Sequence, residues 1–370
     1  MSKFVDILNK DNFSKQDLIS MLDAEGTDKK LLYKKSREIT DKFVGNKVYL
    51  RGLIEYSNVC IKDCLYCGIR KSNTNQQRYT ISDKEVISCA QYALDNNYGS
   101  IVIQAGERTD AIFIAKITSL LNEIGKISNG KLGITISLGE QTLDVYKEWF
   151  NAGAHRYLLR IETSNRELFQ KIHPINQLHS FDTRIEALHN IRKAGFQLGT
   201  GVMIGLPHQT IENLADDLLF LKAMDVDMVG MGPYIEHQNT PLFEAINLLS
   251  TKKERLELAF NMIATLRILM KDINIAAATA LQAIDGFGRE RAIKIGANIL
   301  MPNITPGNFR NKYKLYEDKP CTDENPIDCN TCIDLRMSMI GSKVGYNEWG
   351  DSIHFKQNKK NIIEKTVLKI

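Results

Sequence analysis

Three cysteines open the chemistry of this chain. Cys60, Cys64 and Cys67 follow one another as Cys-x-x-x-Cys-x-x-Cys, with Tyr66 immediately before the third. Thiolates are soft ligands for iron and zinc, and three on one short loop can hold three corners of a cubane iron–sulfur cluster. The fourth iron is then open to an exchangeable ligand. Zinc would want a fourth protein ligand, and no His or Cys lies close on either side. Cys64-Leu-Tyr-Cys67 has the spacing of a thioredoxin-like redox pair, which leaves Cys60 without a role. The open-cornered 4Fe-4S cluster uses all three thiols and is the preferred reading. A second triad, Cys321, Cys329 and Cys332, lies near the C-terminus among Asp323, Glu324 and Asp328. It reads as an auxiliary iron–sulfur site, 2Fe-2S or 4Fe-4S, with a zinc knot or loosely held metal as alternatives.

Composition narrows the classes. The chain has 370 residues, 43% hydrophobic and 25% charged, enough apolar material for a large core. With 48 basic and 44 acidic residues the net charge is only +4, which makes no case for nucleic acid or a membrane surface. The first residues lack the apolar stretch of a signal peptide, and no run approaches the roughly 18 apolar residues of a membrane span. Six of the seven cysteines fall in the two triads, unlike a disulfide framework. A reducing cytoplasm is the expected compartment.

The elements that must position these thiols are legible in the hydrophobic periodicity. Residues 3–43 are predicted helical, with Ser14 starting one helix (Leu18, Met21, Leu22) and Thr27 capping the next (Leu31, Leu32, Ile39, Phe43). Apolar strand-like runs follow at 48–55, 100–104, 132–137, 155–161, 197–204, 226–231, 273–278 and 296–301. Amphipathic helical stretches separate them at 82–96, 110–125, 141–150, 165–193, 210–223, 251–271 and 286–295. This alternation predicts an α/β fold, a (β/α)8 TIM-type barrel, with an incomplete six-strand barrel as the rival. The expected division is 1–46 as an N-terminal helical cap, 47–310 as the barrel and 311–370 as a cysteine-bearing extension. Such barrels carry their sites at the carboxyl ends of the strands, and Cys60 follows the first strand directly.

The other strands also end on polar groups. The second ends Gln104-Ala-Gly106-Glu107, where glycine permits close backbone approach and the carboxylate can receive an ammonium group; a tight turn is the plainer alternative. Thr135 and Ser137 share a face at the end of the third, by the two-residue period. Arg160 and Glu162 share a face at the end of the fourth, where a structural ion pair is the competing explanation. The fifth carries Gly201, Met203 and Gly205, and Met203 alone would pass for core. His237 follows the sixth strand and Thr279 the seventh.

The cysteine spacing, with an aromatic before the third, resembles the signature of radical S-adenosylmethionine (SAM) enzymes, and Gln104-Ala-Gly-Glu107 resembles their Gly-Gly-Glu motif with Ala105 at the first glycine. Within them the chain resembles the HydE family of FeFe-hydrogenase maturases from about Val48 to Gly350. The likeness runs through Glu55-Tyr-Ser-Asn-Val-Cys60, Ser137-Leu-Gly-Glu140, Arg156-Tyr-Leu-Leu-Arg160, Val202-Met-Ile-Gly-Leu-Pro207, Asp225 to Pro233, Met301-Pro-Asn and the tail triad. The resemblance implies a cluster at Cys60, Cys64 and Cys67 that reductively cleaves SAM to a 5′-deoxyadenosyl radical. It implies SAM contacts at Tyr66, Gln104, Gly106, Glu107, Ser137, Glu162, Arg184 and Met203. Thr135, Arg160, Thr279 and Tyr313 fall on the substrate side, and Ala278 replaces a hydroxyl that some relatives carry. The implied substrate is a small cysteine-bound iron carbonyl cyanide complex, on the way to the diiron subcluster. Other maturation proteins and a low-potential ferredoxin or flavodoxin are the implied partners. Biotin synthase and methylornithine synthase resemble the chain less fully, since Cys89 falls on a helix and leaves the strands without a cysteine, and the tail triad has no place in the second. A non-catalytic iron-complex carrier is a third alternative, which the retained Glu107, Ser137, Glu162 and Arg184 disfavour.

Overall fold

Local chemistry sets where many helices begin. Ser14 and Asp17 exchange side-chain and backbone bonds in a capping box, as do Ser82 with Glu85, Thr210 with Asn213 and Thr251 with Glu254. The computed structural model describes residues 3–320 and 326–358, and only the backbone of 326–331. Its elements run α1 (Lys3–Leu8), α2 (Lys15–Leu22), α3 (Gly26–Phe43), β1 (Lys47–Ser57), α4 (Asp83–Asp95), β2 (Ser100–Ala105), α5 (Ala111–Ser128), β3 (Gly133–Ser137), α6 (Leu143–Asn151) and β4 (Arg156–Leu158). They continue α7 (Arg166–Ile172), α8 (Phe181–Lys193), β5 (Gln197–Thr200), β6 (Met203–Ile204), α9 (Ile211–Ala223), β7 (Met228–Pro233), α10 (Lys252–Leu269), β8 (Asn274–Ala277) and α11 (Thr279–Ile284). The last are α12 (Gly288–Ile295), β9 (Ile299–Leu300), α13 (Gly307–Arg310), α14 (Pro326–Met339) and β10 (Lys343–Val344).

Every strand pairing between these elements is parallel, in the order β1-β2-β3-β4-β5-β7-β8-β9. Tyr49 opposite Ile299 and Leu50 opposite Leu300 bring β9 back onto β1, so the barrel is complete with eight strands and the six-strand rival falls away. Both faces of the strands are covered, which is why Ile101, Ile103, Ile134, Ile136, Leu198 and Ile275 are all buried. The N-terminal helices lie on the flank, α2 against α9 and α3 against α10 and α12. No helix among the described residues is long and apolar enough to cross a membrane.

Three expectations are corrected. The helical stretch 165–193 is two helices, α7 and α8, because Pro174 drives His173 out of helical geometry into extended backbone. The fifth strand breaks between β5 and β6 at Gly201, where a side chain would collide with the Gly230 carbonyl. Thr27 does not cap α3: Gly26, at φ 51°, turns the chain one residue earlier and Glu25 takes the cap position without a side-chain bond.

The chain after Arg310 visits both ends of the barrel. Residues 311–319 pass over the mouth at the carboxyl ends of the strands, where Gly68 N–H donates to the Leu315 carbonyl. Residues 343–352 run beneath the opposite end. There β10 pairs with the start of β1, Gly350 O accepts from Arg51 and Asn274, Trp349 O accepts from Ser100 and Arg156, and Asp351 meets the Arg156 guanidinium.

Candidate active site at the barrel mouth

The loop between β1 and α4 carries the three cysteines and has no regular structure, so its carbonyls must find other donors. Arg78 supplies them. Its guanidinium donates to the carbonyls of Asn58, Ile69, Arg70 and Asn73, with distances of 2.6–3.1 Å. Asn58 donates to the Gln77 and Lys312 carbonyls and accepts from Tyr79 N–H. His237, which follows the sixth strand, is buried with its ring against Gly68. None of these supports is flagged by motif; the one signal in the sequence is a long polar loop with a single arginine at its end.

Cys60, Cys64 and Cys67 line one open cavity, together with Tyr66, Gln104, Gly106, Glu107, Ser137, Arg160, Glu162, Arg184, Met203 and Tyr313. Residues from the exits of β1 to β5, the α8 helix and the post-barrel segment therefore converge. Enclosure by the cavity walls pushes the Cys60 and Cys67 thiols up, and Cys64 to about 12. Among the described residues no three His, Cys, Asp or Glu side chains converge on a single ion. Three thiols on one cavity suit a polynuclear cluster, where each cysteine takes a different iron. Among the described residues, no other Cys and no His lines the cavity. The residues fit an open-cornered 4Fe-4S cluster.

Gly106 is required by the chain's own cysteine loop. A Cβ there would lie 2.4 Å from Val59 O and 2.8 Å from Cys60 Cβ. This close fit brings the Glu107 N–H to 3.3 Å from Cys60 Sγ, where it donates. Gly139, at φ 82°, leaves room for the Glu107 carboxylate itself.

Behind Glu107 lies a buried quartet of charges. Lys62 Nζ is 3.1 Å from Glu107 Oε1 and 2.7 Å from Glu140 Oε2, and Arg184 Nε binds Glu140 Oε1. Glu140 N–H donates to Glu107 Oε2 at 3.0 Å. Burial, then the Glu140 charge, raises Glu107, while at Glu140 the Arg184 and Lys62 charges outweigh burial and hold it down. Neither Lys62 nor Glu140 is a site candidate in the sequence, although Lys62 falls inside the cysteine motif and Glu140 ends the Ser137-Leu-Gly-Glu140 segment.

Glu162 is held at φ 67°, a strained geometry for a residue with a side chain, which clusters at functional positions. Its Oε2 is 2.9 Å from Arg160, an ion pair without hydrogen-bond alignment. Burial raises its carboxyl despite the Arg160 and Arg184 charges. Much of the remaining lining is apolar, with Leu158, Gly232, Ala278 and Leu315 as well as Tyr313. Tyr313 is backed by Lys319, which sits 5.3 Å over its ring and pairs with the buried Glu55 on β1.

Two expected residues lie elsewhere. Thr135 is one layer below the cavity, its hydroxyl accepting from Arg156 Nε at 2.9 Å. Thr279 faces a separate, small pocket under α14, with Cys332 and Arg336. Of the tail triad, Cys321 and the side chain of Cys329 are outside the described residues, and Cys332 is exposed on α14. Cys89 is on α4 as expected, its thiol on the Ile304 carbonyl.

Comparison with known proteins agrees with this geometry. Residues 54–221 match the model of the radical SAM superfamily. The chain is 42% identical over 320 residues to FeFe hydrogenase maturase subunit HydE of Thermotoga maritima, covering 86% of this chain and 88% of that protein. It is 26% identical to 3-methylornithine synthase of Methanosarcina acetivorans, covering 80% and 81%. Its fold is similar to the crystal structure of methylornithine synthase, with a TM-score of 0.76 at 22% identity over 93% of this chain and 97% of that one.

Proposed function

Since the chain belongs to the HydE family of FeFe-hydrogenase maturases within the radical SAM superfamily, we propose that it cleaves SAM reductively at the barrel mouth and acts there on a small iron complex during hydrogenase maturation. The observation that carries this reading is the single cavity shared by three thiols, the carboxylates of Glu107 and Glu162 and the guanidiniums of Arg160 and Arg184. When bound, a 4Fe-4S cluster with one open iron supplies the electron that breaks the sulfonium of SAM.

The protein's part is to bind and orient. Cys60, Cys64 and Cys67 hold the cluster, and because enclosure raises all three thiols, loading it must drive off their protons. Glu107 receives the ammonium of SAM. Glu162 and Arg184 grip its polar groups, and Ser137, Gln104, Tyr66 and Met203 complete the pocket around it. Arg160 and Tyr313 face the substrate, a compact iron complex carrying carbonyl, cyanide and cysteine. The apolar lining keeps water from a carbon radical there. The electron comes from a ferredoxin or flavodoxin, and the complex passes to and from other maturation proteins in the cytoplasm. The tail triad holds an auxiliary cluster.

Anaerobically reconstituted protein given SAM and dithionite is expected to yield methionine and 5′-deoxyadenosine. In a strain lacking its own HydE-type maturase, the gene is expected to restore hydrogenase activity. SAM cleavage without restoration would favour the methylornithine synthase reading. An intact cluster signal with no cleavage would favour a carrier.

A further inference from the structure

We propose that Lys62 is a positioning residue that, with Glu140, holds the Glu107 carboxylate in place to receive the ammonium group of SAM. This rests on the functional reading above, in which Glu107 meets SAM. Lys62 is itself no ligand. Its ammonium donates to Glu140 Oε2 at 2.7 Å and to the Leu178 carbonyl, and it stands 3.1 Å from Glu107 Oε1 as an ion pair. Its side chain is almost wholly buried, at 6% exposure. A lysine so saturated has nothing left to offer a substrate.

Its effect falls on Glu107. One oxygen of that carboxylate meets Lys62 and the other accepts Glu140 N–H at 3.0 Å. The ion pair on one oxygen and the hydrogen bond on the other set the orientation of the group. The quartet Lys62, Glu107, Glu140 and Arg184 is also neutral, two anions against two cations. Loss of Lys62 leaves one uncompensated buried anion, which is costly. The same side chain forms a partition. Lys62, Glu107 and Glu140 line an outer groove of about 1330 Å3 between α5, α6 and α8, while Lys62 and Glu107 also line the SAM cavity. Lys62 and Glu107 thus stand together between the two spaces, and a shorter side chain at 62 is expected to widen the passage between them.

The test uses full-length reconstituted protein, iron content, SAM affinity by equilibrium dialysis and the change that SAM makes in the reduced cluster's EPR spectrum. Lys62→Met is expected to keep its iron and to bind SAM roughly 30-fold more weakly or worse, the low end of what truncating one partner of a buried charge pair costs. Its KM for SAM rises more than its kcat falls. Lys62→Met combined with Glu140→Gln restores charge balance around Glu107 and is expected to bind SAM better than Lys62→Met alone. A simple wall residue would not behave so. Wild-type affinity in Lys62→Met, or a double variant that holds iron but binds no better than the single, overturns the assignment. If Lys62→Met loses its iron, the double variant decides, by whether it holds iron and binds SAM. Wild-type protein with full iron that binds no SAM overturns the functional reading itself, and this assignment with it.

Discussion

The two ends of the barrel bury similar groups and use them differently. At the carboxyl ends of the strands, Glu162 sits in strained backbone and meets Arg160 without hydrogen-bond alignment, and the whole set faces a cavity. At the amino ends, Arg51 and Arg156 are as deeply buried, but the chain's own strap answers them with the Gly350 and Trp349 carbonyls and the Asp351 carboxylate. Burial lowers Arg156 to about 10 even so, with Asp351 opposing the fall. At one end the charges face a cavity, and at the other they meet the chain itself. That contrast is the general asymmetry of these barrels, drawn here in named residues.

Breaking the mouth should have the largest effect. Cys64→Ala is expected to abolish methionine and 5′-deoxyadenosine formation, with unfolding in denaturant shifted little. Cys332→Ala, exposed on α14, is expected to leave cleavage largely intact; equal loss in both would mean that the tail thiols serve the same chemistry. Breaking the strap should do the reverse. Asp351→Ala removes the charge that faces the buried Arg156, and about 3 kcal/mol of stability should go with it, the lower end for a broken buried pair because Asp351 keeps some exposure. Urea unfolding reads that loss, while KM for SAM should not change.

The smallest effect sharpens the comparison by pH. His354, just beyond the strap, binds Asp272 at 3.2 Å and Asp225 at 2.7 Å. The Asp272 hydrogen bond, with Asp225 behind it, raises the imidazole from 6.5 to about 9. A raised folded value means that this stabilisation is complete below about 6.5 and fades as pH rises through about 9. His354→Gln should flatten that alkaline decline by about 0.5–1 kcal/mol, the scale of a partly exposed pair. A decline that persists in the variant would place its origin elsewhere.

Much of the barrel was legible because strands and helices alternate with ordinary periodicity, and the cluster loop because its thiols lie within eight residues of each other. Ser14 capped its helix as read. The misses share a cause. Arg78, the Glu55–Lys319 pair across 264 residues and the strap against Arg156 all depend on segments that only meet when the barrel closes. Thr135 and Ser137 do share a face, but the face passes through two layers, one plugged by Arg156 and one open to the cavity.

By itself the sequence settled what is covalently near: three thiols at cluster spacing, a polar group at each strand exit, the caps and the alternation that makes a parallel barrel. Tertiary structure alone decided which cation each buried carboxylate meets, so that Glu107 stands between Lys62 and the cavity while Thr279 turns away to another pocket. Local spacing survives in the unfolded chain, whereas a pairing across 78 residues, such as Lys62 with Glu140, exists only once strand register and closure bring both side chains into one dry layer.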